Sequence, residues 1–296
     1  MSRTEQHPLV AVGLVCLAGI LFVVMNTIVK ALQPDHHVIM LLWARTFFHV
    51  AFVVVVFPRS VMGAIRTVQL PVQIGRGVLL TGSTICNFGA LLFLPLGEVS
   101  AITFVSPILV AALAAGYLRE HVGVVRWAAI ATGFIGVLAI IRPGFGTAIN
   151  PGAVLAFACA GFYAVYQIST RIVREAEPIV SLLFSGLVGA VLFSLLVPFY
   201  WVWPSPLHLA LFVAIGSLGA IGHLLVIMAL QRAEASRVSP FNYIQLVWAM
   251  LASFLVFGEI PSHWTAVGAV IIVGSGLFLY RLDMAERARL RALQAG

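Results

Sequence analysis

The residues of this 296-residue chain that could do chemistry are polar side chains set inside long apolar runs. Ser83 and Thr84 stand four and three positions before Asn87, so one helical face carries them. Tyr163, Tyr166, Gln167 and Thr170 repeat that spacing. Asn242 and Gln245 share a face, with Tyr243 and Trp248 close by, and Asn26, Trp43 and His223 add to the set from further runs. Aromatic planes combined with amide donors and acceptors suit noncovalent recognition of a small amphipathic solute. The alternative for each residue is a hydrogen bond between helices with no ligand.

Arg45 is the sharpest single candidate. It lies about eight residues into its run, where a guanidinium is costly unless it faces protein or a cavity. It could hold a solute carboxylate through two parallel hydrogen bonds, or bury its stem and reach toward one membrane face. Lys30, the only lysine, ends the first run as an interfacial anchor or a gate. Pro107 has no N–H for the carbonyl of Thr103, so the helix around it is expected to kink. Pro107 and Pro240 are the candidate hinge or gate positions.

Several chemistries find no residues here. There is no His-Glu-x-x-His, no cysteine pair and no pair of carboxylates at mid-run, so no catalytic or metal site is expected and no cofactor is called for. Cys16, Cys86 and Cys159 each stand alone in apolar surroundings. No Gly-x-x-x-x-Gly-Lys loop is present to bind ATP. The net charge of +7 lacks the aromatic-interleaved basic patch of a nucleic-acid binder. His49 and His223 are the only groups inside the runs that titrate near neutral pH. An intramembrane enzyme and a channel are the rival classes, and neither the catalytic groups of the first nor the charge rings of the second are visible.

The elements that must position these residues follow from composition. Apolar residues make up 61% and charged residues 9%, against roughly 25% charged in a soluble domain. Runs of eighteen or more residues with almost no charge are long enough to cross a bilayer as helices, and lipid leaves helices or closed barrels as the only spanning structures. The runs are too long and too uniformly apolar for barrel strands. Ten spans are predicted: 9–31, 37–57, 74–95, 99–118, 123–141, 152–172, 179–200, 207–230, 236–257 and 264–281. The first is read as a span rather than a cleavable signal peptide. The connection after the second carries Arg59, Arg66 and Arg76. Numbering the loops alternately puts fourteen of the 17 cations on one side, Lys30 and Arg142 on the other, and Arg45 within a span. That asymmetry predicts a multi-pass protein of the cell membrane with both termini cytoplasmic.

The chain also repeats itself faintly. Glu120 and Glu259, each closing a span, are 139 positions apart, as are Gly13 and Gly152 near two span starts. The turn-forming stretch Arg142 to Gly152 is the junction. Two five-span units, 9–142 and 151–281, followed by a charged cytoplasmic tail at 282–296, are therefore expected. Five is odd, so the second unit enters from the opposite face. The predicted fold is all-α, with ten transmembrane helices in two inverted five-helix repeats around a central cavity, a plan that serves alternating access.

The stretches Ser100-Ala101-Ile102-Thr103-Phe104-Val105-Ser106-Pro107 through Glu120, and Ala235-Ser236-Arg237-Val238-Ser239-Pro240 through Glu259, resemble the repeat ends of the drug/metabolite transporter superfamily. Each is followed by a glycine-rich span (Gly133 and Gly136; Gly268, Gly274 and Gly276), and Trp43-Ala44-Arg45-Thr46-Phe47 resembles the start of that family's second helix. The resemblance covers about 9–281 and implies export or exchange of small metabolites, amino acids and aromatic ones among them. Other metabolites or drugs are the alternative. One departure is that Leu246, not a proline, stands in register with Pro107 in the second unit.

Overall fold

Helix starts are written in local capping chemistry. Asn150 accepts the Gly152 N–H through Oδ1 at 2.8 Å, Ser205 Oγ accepts from His208 N, and Ser262 Oγ accepts from Thr265 N. Proline follows Asn150 and Ser205 directly, at the first helical position, where its missing N–H costs nothing. The computed structural model describes residues 8–64, 70–117, 124–141, 150–172, 177–232 and 244–295. Over these it is all-helical: α1 (Pro8–Leu32), α2 (Val38–Val56), α3 (Pro58–Ala64), α4 (Leu70–Ala90), α5 (Leu96–Thr103), α6 (Ser106–Tyr117), α7 (Val124–Ile141), α8 (Pro151–Ile172), α9 (Pro178–Leu196), α10 (Pro206–Arg232), α11 (Ile244–Phe257) and α12 (His263–Ala295).

Among the described residues, six helices are long and apolar enough to cross a membrane: α1, α2, α8, α9, α10 and α12. Three further apolar stretches, Leu96–Val110, Trp127–Ile140 and Ile244–Phe257, are shorter. The predicted fourth span is broken at Phe104 and Val105, so α5 and α6 meet just before Pro107, where the proline ring excludes a continuous hydrogen-bond ladder. The segment expected as a charged tail continues α12 as helix.

The surface is the inverse of a soluble protein's. Val55, Leu195, Leu255 and Val270 project outward, while Arg45, His49 and Arg76 are buried. That arrangement fits a polytopic protein whose solvent is lipid. α1 packs on α10, α4 on α8, and α7 on α12; α2 sits against both α9 and α10, and α4 also touches α9. α11 lies between α1 and α5, and α5 and α6 lean on α8. α7 and α12 meet at Gly136 and Gly268, where a Cβ on either would lie under 3 Å from the other's carbonyl oxygen. α10 presents Gly216, Gly219 and Gly222 to side chains of α1 and α2 in the same way, so these helices approach more closely than larger residues allow.

One sequence expectation is corrected by this packing. Arg76 is not a loop cation. It lies two turns inside α4, 2% exposed, and its contacts are to α8 and α9. The reason is helical phase: Gln73, Arg76 and Leu80 share the inward face of α4 with Ser83.

Candidate functional site

The face of α8 bearing Tyr163, Tyr166, Gln167 and Thr170 lines a cleft against His223, Val226 and Ile227 of α10. Each set has helical spacing, so two straight helices suffice to build the walls. The two tyrosine rings stack 5.9 Å apart at 23°. The His223 ring stands 6.5 Å from Tyr166, 6.4 Å from His49 and 5.0 Å from Phe22. Among the described residues, neither Gln167 nor His223 has a hydrogen-bond partner in the protein. The free space is about 10 Å³, about the least that holds one water, so a metabolite enters only if α8 and α10 part.

Two arginines flank this cleft. Arg76 donates from Nη1 to Gln73 Oε1 (2.8 Å) and Ser181 Oγ (3.1 Å), and from Nη2 to Thr170 Oγ1 (3.0 Å). Its guanidinium lies over the Tyr166 ring at 5.3 Å. Arg45, about 10 Å along α2 from its start, lies flat against the backbone of Gly219. Its Nη1 is 3.0 Å from His49 Nδ1. A guanidinium only donates, so Nδ1 accepts, and the His49 Nε2–H is left to donate to the Leu182 carbonyl at 3.0 Å. Both Nε atoms are buried without a partner.

The other sequence candidates divide. Asn87 Nδ2 donates to Asn26 Oδ1 at 3.0 Å, joining α4 to α1. Ser83 bonds the Cys159 carbonyl of α8 at 3.3 Å. Gln245 rests against Gly19 of α1. Trp43 turns away from the cleft: it donates to Ser194 Oγ at 3.2 Å and stacks on Phe47 in an aromatic belt with Trp201. Trp248 points outward, 41% exposed. Asn242 and Pro240 lie outside the described residues.

One end of the bundle is closed by polar contacts that no local spacing announced. Lys30 Nζ, at the end of α1, meets Glu259 Oε1 at 2.6 Å, donates to the Leu94 carbonyl at 3.2 Å and stands over the Phe257 ring. Glu259 is aimed by Gly258, whose φ of +68° turns the chain after α11, and by Ser253, which donates to its second oxygen. Lys30 is thus a partner in an ion pair rather than a free anchor. Nearby, in the α1–α2 connection, His36 Nε2 lies 2.8 Å from His208 Nδ1. Burial and then the neighbouring His208 push the His36 pKa down from the ordinary histidine value, while Asp35 opposes them.

A bundle of apolar-faced helices, with polar side chains turned to a closed seam, is a carrier's geometry. The model of the EamA-like transporter family matches this chain twice, over residues 9–142 and 150–281. The chain belongs to that family.

This EamA-like protein is similar over much of its length to named transporters. It is 30% identical to the S-adenosylmethionine uptake transporter of Rickettsia conorii, over 73% of each chain. It is 26% identical to the riboflavin transporter of Vibrio cholerae, over 97% of this chain and 98% of the relative. It is also 26% identical to the pseudopaline exporter CntI of Pseudomonas aeruginosa, over 90% and 95%. A solved crystal structure of a protein superposes on it with a TM-score of 0.63 at 22% identity, covering 93% of this chain and 98% of that one, which speaks to fold alone. The EamA-like chain is a small-molecule transporter of the membrane.

Proposed function

We propose that this protein carries amino acids, aromatic ones foremost, out of the cell by alternating access through the α8–α10 seam. The observation that carries the reading is a twofold regularity in the packing. Exchange α1 with α8, α2 with α9, α4 with α10, α5 and α6 with α11, and α7 with α12. The principal contacts then map onto themselves: α1 on α10 becomes α8 on α4, α2 on α10 becomes α9 on α4, and α7 on α12 is its own image. That regularity supports ten spans in two inverted units, 9–142 and 151–281, with the α8–α10 cleft of the second unit facing Arg76 and His49 of the first. The stacked Tyr163–Tyr166 pair offers a platform for a flat ring, and Gln167 and His223 bring polar side chains beside it.

The six carboxylates among the described residues flank the apolar spans or sit in connections and the α12 extension, so none is placed as a mid-membrane proton relay. Movement then follows the solute's own gradient, which for a metabolite made inside the cell is outward. The cation asymmetry supports a plasma-membrane protein with both termini in the cytoplasm. A second reading is favoured by the relatives: a heterocyclic solute such as riboflavin or S-adenosylmethionine, the latter named as taken up.

Counterflow in proteoliposomes tests both. Vesicles preloaded with unlabelled tryptophan, phenylalanine, threonine, riboflavin or S-adenosylmethionine are given trace label of the same solute. Saturable accumulation of an amino acid supports the first reading. Accumulation of riboflavin or S-adenosylmethionine alone replaces it with the second.

A further inference from the structure

Arg45 and Arg76 hold two cations inside the bundle, 3% and 2% exposed. Among the described residues, every partner of either is a neutral dipole: an imidazole nitrogen for Arg45, and an amide oxygen and two hydroxyls for Arg76. Among the described residues, no carboxylate reaches either guanidinium; the single ion pair found there is Lys30–Glu259, at the far end of α1. Neutral dipoles offset only part of the cost of taking a cation out of water, and an opposite charge is the usual completion. Each guanidinium also keeps a buried Nε–H with no acceptor.

The two cations share one seam. Arg76 lies over the Tyr166 ring. Arg45 reaches the same seam through His49, whose Nδ1 is 3.0 Å from Arg45 Nη1 and whose ring stands 6.4 Å from His223. Tyr166, Thr170 and His223 are walls of the α8–α10 cleft, so both cations border the cleft that holds the aromatic platform. α2 and α4 supply the cations, while α8, α9 and α10 supply hydroxyls, rings and the glycine that lets Arg45 lie flat.

We infer that Arg45 and Arg76 form a two-station site for an oxyanion group of the solute, a carboxylate or a phosphate, which supplies the missing negative charge as the aromatic part rests on Tyr163 and Tyr166. The inference builds on the transporter reading and narrows it. Solutes must be anionic or zwitterionic, and a purely cationic analogue of the same shape is rejected. Arg76 becomes a solute-binding residue of a site that sequence spacing did not place it in.

The test is binding to the full chain in lipid nanodiscs, followed by thermal unfolding and titration. The probes are 3-phenylpropionate, inorganic phosphate and phenethylamine, and the first and last keep one ring and differ in charge sign. Saturable stabilisation by 3-phenylpropionate or by phosphate, with none by phenethylamine, is expected, and which anion acts tells carboxylate from phosphate. Arg76→Gln and Arg45→Gln should each weaken that binding by about ten- to a hundred-fold, and Arg76→Lys should recover part of it. The wild-type comparison of charge sign needs no variant, so misfolding of a variant leaves the test intact. Equal stabilisation by the amine, no response to either anion, or unchanged anion affinity in folded Arg→Gln variants overturns the site. Arginine-dependent anion binding with no amino-acid counterflow would keep this site and discard the amino-acid reading. Amino-acid counterflow in vesicles that survives both substitutions would do the reverse.

Discussion

Replacing Lys30 with methionine removes a charge, a 2.6 Å ion pair with Glu259 and a 3.2 Å bond to the Leu94 carbonyl, while keeping most of the side-chain volume. The pair is largely shielded, with side chains 13% and 27% exposed, so it should exceed the surface value of about 0–1 kcal/mol. Hydrogen bonds to charged groups contribute about 1.5–3 kcal/mol. Taking about 2–3 kcal/mol for the whole contact, separation of α1 from the α11–α12 connection becomes easier by roughly 30- to 150-fold, at 1.4 kcal/mol per tenfold. The assay is the rate at which a membrane-impermeant maleimide modifies Asn26→Cys, one turn below Lys30, in a background where Cys16, Cys86 and Cys159 are serine. From the Lys30 side, labelling should speed up at least about tenfold in Lys30→Met. Glu259→Gln should give a smaller increase, because Lys30 keeps its carbonyl bond. Labelling that changes less than twofold in both variants would refute the idea that this contact holds that end shut.

Three further outcomes follow from close contacts and one titrating group. Gly219→Ala puts a Cβ 2.5 Å from Arg45 Cζ, so overpacking of about 1–3 kcal/mol is expected; solute binding should weaken more than in Gly161→Ala, where nothing lies within 4 Å, and equal binding in the two variants would count against Arg45's placement. Gly258→Ala meets no steric neighbour but must hold φ +68°, at about 1–2 kcal/mol; it should mimic Glu259→Gln in the maleimide assay. The His36 pKa is lowered in the fold, so its neutral form is favoured there, and its contribution is present above the unfolded value of about 6.5 and lost as pH falls toward the folded value. Hydrogen-exchange protection factors of the 33–37 segment should therefore fall on acidification below about pH 6.5, and His36→Gln should flatten that response.

Much of this architecture was legible as periodicity. The α8 face is legible because Tyr163, Tyr166, Gln167 and Thr170 repeat at helical spacing, and spacing alone determines a shared face. Trp43 shows the limit: it stands two residues from Arg45, about 200° round the helix, so the two face different neighbours. Arg76 was missed although a signal existed. The stripe Ser83–Asn87 continues backward at the same spacing through Leu80 to Arg76 and Gln73, and polarity near a span end was read as a loop. Lys30–Glu259 and His36–His208, 229 and 172 positions apart, had no local signature. Such pairs are decided by which helices become neighbours, and hydropathy does not encode that.

Solute passage between the walls formed by α8 and α10 makes Gln167 the decisive position. The most direct measurement is two-sided labelling of Gln167→Cys in the same serine background, reconstituted in oriented proteoliposomes, with counterflow recorded in parallel. An impermeant thiol reagent should reach this position, a transported solute should slow the modification, and complete modification should abolish counterflow. A site that is modified fully while counterflow continues unchanged would contradict passage between these walls.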